Sequence, residues 1–125
     1  MGHYISNLRD LEFNLFEANR IQEYLGTGPF AQMDRDTAGD VLREVDRLAV
    51  EDLAETFADL DKEGPQLVDG EVKLPPALHR TLDKYYEGGW DRISLPEEMG
   101  GFGAPPSLRW AAQELFSGGN AAAFL

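Results

Sequence analysis

Between Asp36 and Leu60 the residues Leu42, Val45, Ala49, Leu53, Phe57 and Leu60 recur at three- and four-residue steps, with Val41 and Leu48 widening the stripe. That period belongs to a helix; a strand, whose side chains alternate every two residues, would scatter them over both faces. Asp36 is the expected cap, and Gly64-Pro65 follows the end. Twenty-five residues make a rod of about 37 Å. Its apolar face must be covered, so the rest of the chain has to supply partners for it. The opposite face carries Glu51, Glu55 and Asp59 in a same-sign row. Calcium and two-metal sites draw ligands from several elements, so the row reads as a solvated face. A metal-binding bundle has only that row behind it, and calorimetry with divalent ions decides between the two.

Further helices follow from the same signals. The first is expected from Leu8 to Leu25, with Leu8, Leu11, Leu15, Ala18, Ile21 and Leu25 in register, Asn7 as cap and Gly26, Gly28 and Pro29 closing it. Phe13 and Phe16 lie off that stripe and imply a second apolar contact. Residues 66–74 break the helical period: Leu67-Val68, Asp69-Gly70 and Val72 read as two short extended pieces around a hairpin turn. Pro75-Pro76 opens a helix whose buried side is expected at Leu78, Leu82, Tyr85 and Tyr86, ending at Gly88-Gly89. Ser107 caps a further helix to about Phe116, with Leu108, Ala111, Ala112 and Leu115 inward and Gly118-Gly119 stopping it. Asn120 then caps a last apolar segment, Ala121 to Leu125. A five-residue helix cannot sustain itself, so the chain reads as cut within an element at 125 and as the front portion of something longer. The fold class predicted is an all-α bundle of four to five helices with a hairpin insertion near 66–74.

Charge and composition narrow the function. Eleven Lys and Arg against 23 Asp and Glu give a net charge of −12. Such a surface repels nucleic-acid phosphates and anionic lipid. No cysteine is present, so disulfides, thiolate metal sites and cysteine nucleophiles are excluded together. No apolar run reaches the ~20 residues of a membrane span, and no signal-peptide pattern opens the chain. A cytoplasmic protein is expected.

Catalytic constellations are scarce. His3 and His79 have no ligand spacing between them, and Ser6, Ser94, Ser107 and Ser117 lack a G-x-S-x-G setting. The glycines at 100, 101 and 103 are followed by no Lys-Ser/Thr pair and preceded by no strand. What stands out is the loop from Gly89 to Gly103, GWDRISLPEEMGGFG, in which Pro96 starts a turn, the glycines permit positive φ, and Trp90 and Phe102 are expected packing anchors.

A helix ending in Gly-Gly-Trp, then SLPEEMGGFGAP, another helix and GGNAAAFL resembles the N-terminal helical domain of acyl-CoA dehydrogenases, with Met99 where an aromatic is commoner. The start, HYISNLRDLEFNLFE, and the segment from Asp34 to Glu55 resemble a bacterial subgroup with an N-terminal extension that includes 3-methylmercaptopropionyl-CoA dehydrogenases. The resemblance implies one N-terminal helical domain over residues 1–125, with an extension helix in 1–30 and the domain core in 31–125. The parent reaction it implies is α,β-dehydrogenation of an acyl-CoA thioester by a base and FAD, with electrons passing to an electron-transfer flavoprotein. In that family the flavin contacts and the base come from later segments. This chain is therefore expected to contribute no catalytic, cofactor-binding or metal-binding residue and to hold no flavin alone.

The family resemblance makes the helix starting at Gly119-Asn120 part of the acyl-pocket wall, with Ala121, Ala122 and Leu125 as lining residues: small apolar side chains leave room for an acyl tail. Packing within the bundle is the other reading of the same residues. Implied partners are acyl-CoA, the remaining domains of the enzyme and further copies of it. A cut domain is also expected to expose apolar surface, near Trp110, Phe116 and Phe124-Leu125, and to associate through it. The rival reading is a stand-alone acidic helical module that docks to a larger subunit with its second helix toward a basic partner.

Overall fold

The computed structural model describes residues 2–125. The cap of the long helix lies two residues before the expected one: the Asp34 carboxylate accepts the Thr37 backbone N–H at 2.7 Å, and Asp36 sits instead in the first turn, where the helix dipole favours an acid. Helix α2 runs Arg35–Leu48, widens into a π-helical stretch at Ala49–Leu53, tightens into a 3-10 turn at Ala54–Thr56 and continues as α3, Phe57–Glu63. The stripe lies inward as predicted, with Leu42, Val45, Ala49, Leu53 and Leu60 buried and Phe57 half-buried.

The first helix is shorter than expected. Asn7 caps α1 (Leu8–Glu12) through its side-chain oxygen, and the helix continues as a π-helical stretch, Phe13–Ala18. It stops there because the Asn19 amide turns back to donate to the Asn14 carbonyl at 2.7 Å, and Arg20 enters the left-handed region at φ 50°. Such local side-chain bonds compete with helix continuation. Ile21–Glu23 and Gly28–Phe30 are single 3-10 turns. Phe16 is buried, with the Arg35 guanidinium 4.7 Å above its ring, whereas Phe13 stays exposed.

Strands β1 (Gln66–Val68) and β2 (Glu71–Lys73) form the expected hairpin, Leu67 opposite Val72, about an Asp69-Gly70 turn with φ of 52° and 79°. All six paired residues are exposed. Helix α4 (Pro76–Glu87) turns Ala77 and Thr81 inward; Leu78, Leu82 and Tyr85 are half-buried, and Tyr86, expected inside, is 53% exposed. Helix α5 (Pro106–Gly119) starts on Pro106 and takes no side-chain cap, so Ser107 is not one; its hydroxyl lies 3.5 Å from that of Tyr24. Leu108, Ala111, Ala112 and Leu115 face the core as predicted, and Gly118-Gly119 remain helical. Asn120, at φ −150°, makes the break before α6, Ala121–Phe124.

The architecture is an all-α bundle around α2, which packs against α1 and α5; α6 rests on α3, α4 and α5. Leu11, Leu15, Ile21 and Leu25 join the same core as Leu108 and Leu115. Among the described residues no helix is long and apolar enough to cross a membrane.

Candidate functional site

The predicted wall helix α6 is held by a fully buried polar side chain. Asn120 is 0% exposed. Its side-chain oxygen accepts the Ala123 N–H at 3.2 Å, which caps α6. Its side-chain nitrogen donates to the Leu53 carbonyl at 2.9 Å and to the Thr56 hydroxyl at 3.0 Å. Thr56 is hydrogen-bonded in turn to the Thr81 hydroxyl, which donates to the Ala77 carbonyl at 3.0 Å. Both threonines are buried. This satisfied chain runs from α6 through the α2–α3 junction into α4, and it explains why α4 faces inward at Thr81.

Two glycines let α5 reach that position. A Cβ at Gly119 would stand 2.7 Å from the Ala49 carbonyl oxygen, and one at Gly118 would stand 2.5 Å from the Tyr4 ring. The contact at Gly119 is with main chain and leaves no space for a side chain, whereas that at Gly118 is with the far end of the Tyr4 side chain, so Gly119 serves close approach rather than helix termination.

An aromatic cluster backs α6. Phe124 lies 5.0 Å from Tyr85 and 5.6 Å from Phe116 between ring centres, and Tyr85 meets Phe116 edge-on at 5.1 Å. Burial, with Asp91 nearby, pushes the Tyr85 phenol above its usual range. The Gln113 amide donates to the Phe124 carbonyl at 3.3 Å, pinning the end of the helix. The structure places Ala121 half-buried, Ala122 exposed and Leu125 99% exposed. Trp110 is 61% exposed, under the Arg109 guanidinium. Phe116, expected at an exposed patch, is instead buried behind Tyr85, Trp90 and Phe124.

The loop 89–103 is a string of tight turns. Glu97–Met99 forms a 3-10 turn, Gly100 and Gly103 take φ of 78° and 64°, and the Gly103 and Ala104 amides donate to Leu95 and Ile93 at 2.9 and 3.0 Å. At Gly101 an added Cβ would meet the Leu95 carbonyl oxygen at 2.0 Å. Trp90 and Phe102 stack at 5.3 Å, as the anchor reading predicts.

Residues 2–5 lie along the stretch 50–58 that follows α2 and border a cavity of about 1060 Å³, with Val50, Ala54 and Phe57 on its apolar side and Glu51 and Glu55 on its polar side. The His3 ring sits 4.5 Å from Phe57, and His79 is exposed on α4. Burial, then the neighbouring Asp46 and Glu114, raise the Tyr4 phenol. Glu51 is turned to Arg47 at 3.1 Å, and Glu51, Glu55 and Asp59 are all exposed. Among the described residues no three His, Asp or Glu side chains gather as metal ligands.

Among the described residues, two cavities lack what a flavin dinucleotide needs for its pyrophosphate, converging N–H groups or unopposed cations. Arg80 and Lys84 share their cavity of about 310 Å³ with Asp52, Glu55 and Asp59, and the cavity beside the loop of Glu97 and Glu98 has no cation at all.

Sequence reasoning named Asn120 as a cap but missed its reach to Leu53 and Thr56, and it missed Thr56 and Thr81 altogether. Their signal was a pair of threonines on faces that otherwise read as apolar.

No family model matches the chain. Two curated proteins do. A broad-specificity linear acyl-CoA dehydrogenase of Mycobacterium tuberculosis is 39% identical across 100% of this chain and 21% of its own length. A 3-methylmercaptopropionyl-CoA dehydrogenase of Ruegeria pomeroyi is 29% identical across 90% of this chain and 19% of its own length. The chain thus spans about a fifth of the length of the curated relatives it matches.

Proposed function

We propose, from the kinship of this chain with the acyl-CoA dehydrogenases along its full length, that it works as the N-terminal helical part of such an enzyme. The reaction of the whole protein is then α,β-dehydrogenation of an acyl-CoA thioester, dependent on FAD and coupled to an electron-transfer flavoprotein, in a cytoplasmic homo-oligomer. Residues 1–125 act as its N-terminal domain, with 1–30 as the extension, and supply neither the base nor the flavin site. Their contribution is a wall: Ala121 and Ala122 on α6, with Leu125 just after it, border the acyl chain and exclude water from it.

The observation that carries the reading is the pairing of full-length similarity with a small share of each relative. The chemistry of α6 supports the wall: its side chains are apolar, and Ala122 and Leu125 face outward rather than into this domain's core.

The test is substitution of Ala122 by Trp in a dehydrogenase that carries this chain as its N-terminal part. A ring placed in the acyl pocket lowers kcat/KM for the longest acyl-CoA by about tenfold or more while short acyl-CoAs are spared. Equal effects on all lengths would refute the wall. The isolated 125 residues, purified, are expected to show no flavin absorption and to turn over no thioester.

A further inference from the structure

We propose that the buried chain Asn120–Thr56–Thr81 is a positioning device that fixes where α6 stands and thereby sets the acyl-chain length the enzyme accepts; this rests on the reading of α6 as acyl wall. A four-residue helix has no stability of its own, so its location is whatever its attachments dictate. Two polar attachments pin it. At the N-terminal end Asn120 reaches Leu53 at 2.9 Å and Thr56 at 3.0 Å; at the C-terminal end Gln113 holds the Phe124 carbonyl at 3.3 Å.

Asn120 donates to the Thr56 oxygen, the Thr56 and Thr81 hydroxyls are hydrogen-bonded to each other, and the Leu53 and Ala77 carbonyls, at 3.4 and 3.0 Å, accept from Thr56 and Thr81. Every polar side-chain atom of the chain therefore has a partner within hydrogen-bond distance. Apolar residues of the same shape would fill this space as well. What the hydrogen bonds add is direction: they lock α6 to the α2–α3 junction and to α4 in a single register. Thr56 stands where the helical backbone changes from a 3-10 turn to α3. A shift at that junction is therefore carried to α6. Thr56 and Thr81 are buried and do not face the outward surface of Ala122 and Leu125, so they act through α6 and not on substrate.

The test pairs Thr56→Val, which keeps the shape and removes the hydroxyl, with Thr56→Ser, which keeps the hydroxyl. In the 125-residue chain, amide exchange at Ala123 and Leu125 is followed by NMR against that of Val45 and Leu48 in α2. Thr56→Val is expected to speed exchange at Ala123 and Leu125 by about tenfold, with the α2 amides unchanged, and Thr56→Ser to restore protection. In a dehydrogenase carrying the chain, Thr56→Val raises KM for long acyl-CoAs relative to short ones at unchanged flavin content, and Thr56→Ser restores the profile. Thr81→Val, at the far end of the chain, repeats both measurements should Thr56→Val fail to fold.

Unchanged exchange at Ala123 and Leu125 overturns the proposal, as does an unchanged length profile. Ala122→Trp separates the two ideas. A length shift there without one in Thr56→Val removes the positioning role and leaves the wall, whereas no shift in either removes the wall and the positioning role with it.

Discussion

Gly119 has no space for a side chain. Its backbone lies against the Ala49 carbonyl, at the start of the π-helical stretch of α2, and a methyl group there would intrude to 2.7 Å. Gly119→Ala is expected to lower stability by about 1–3 kcal/mol, the range for forcing volume into a filled core, seen as a lower urea midpoint with an unchanged slope. An unchanged midpoint would mean that α5 stands off from α2. Gly118 faces the Tyr4 ring instead. The two adjacent glycines read alike in the sequence and act differently, because the neighbour of one is main chain and of the other the end of a side chain.

Helix α2 shows how a cap can be seen in the sequence yet misplaced. Asp34 and Asp36 are equivalent to a composition rule; only Asp34 has the extended backbone, ψ 177°, that lets its carboxylate reach the Thr37 N–H. That bond, reinforced by the Thr37 hydroxyl, holds the Asp34 carboxyl below its usual range. The ionised form is thus the one favoured by folding. Its contribution is fully present above the unfolded carboxylate value of about 3.9 and is lost as pH falls through the lower folded value. Urea midpoints followed downward from neutral pH should fall less for Asp34→Asn than for the parent chain across that acid window, because the amide accepts the same bond without titrating. Identical acid limbs would remove Asp34 as the cap. In α4 the leucine and tyrosine spacing marked the inward side, but its deepest positions are Ala77 and Thr81, which lie between the half-buried Leu78, Leu82 and Tyr85.

At the scale of the molecule, net charge opposes association and apolar exposure favours it. The chain carries −12, while Trp110, Leu125 and Ile5, the last 91% exposed, stand in solvent. Salt shortens the reach of the repulsion to about 3 Å at 1 M and leaves apolar contact intact. Sedimentation velocity should therefore show self-association that grows with salt and concentration, and Trp110→Ser should weaken it. A strictly monomeric chain at high salt and high concentration would show that these apolar side chains are too scattered to act as one patch.

Periodicity alone determined the bundle, the inward stripe from Leu42 to Leu60 and the core face of α5, because burial of apolar surface is a local pattern repeated along each element; the hairpin near 66–74 was legible from its Asp69-Gly70 turn, its strands being exposed. The loop, the two ends of the chain and the segment from Asp34 to Glu55, read as a resemblance, point to the acyl-CoA dehydrogenases. Tertiary structure alone decided that Phe116 lies inside, that Gly118-Gly119 continue a helix, and that Asn120 binds residues 64 and 67 positions away. Those features depend on hydrogen bonds and close backbone contacts between elements distant in sequence, and such pairings have no period to read.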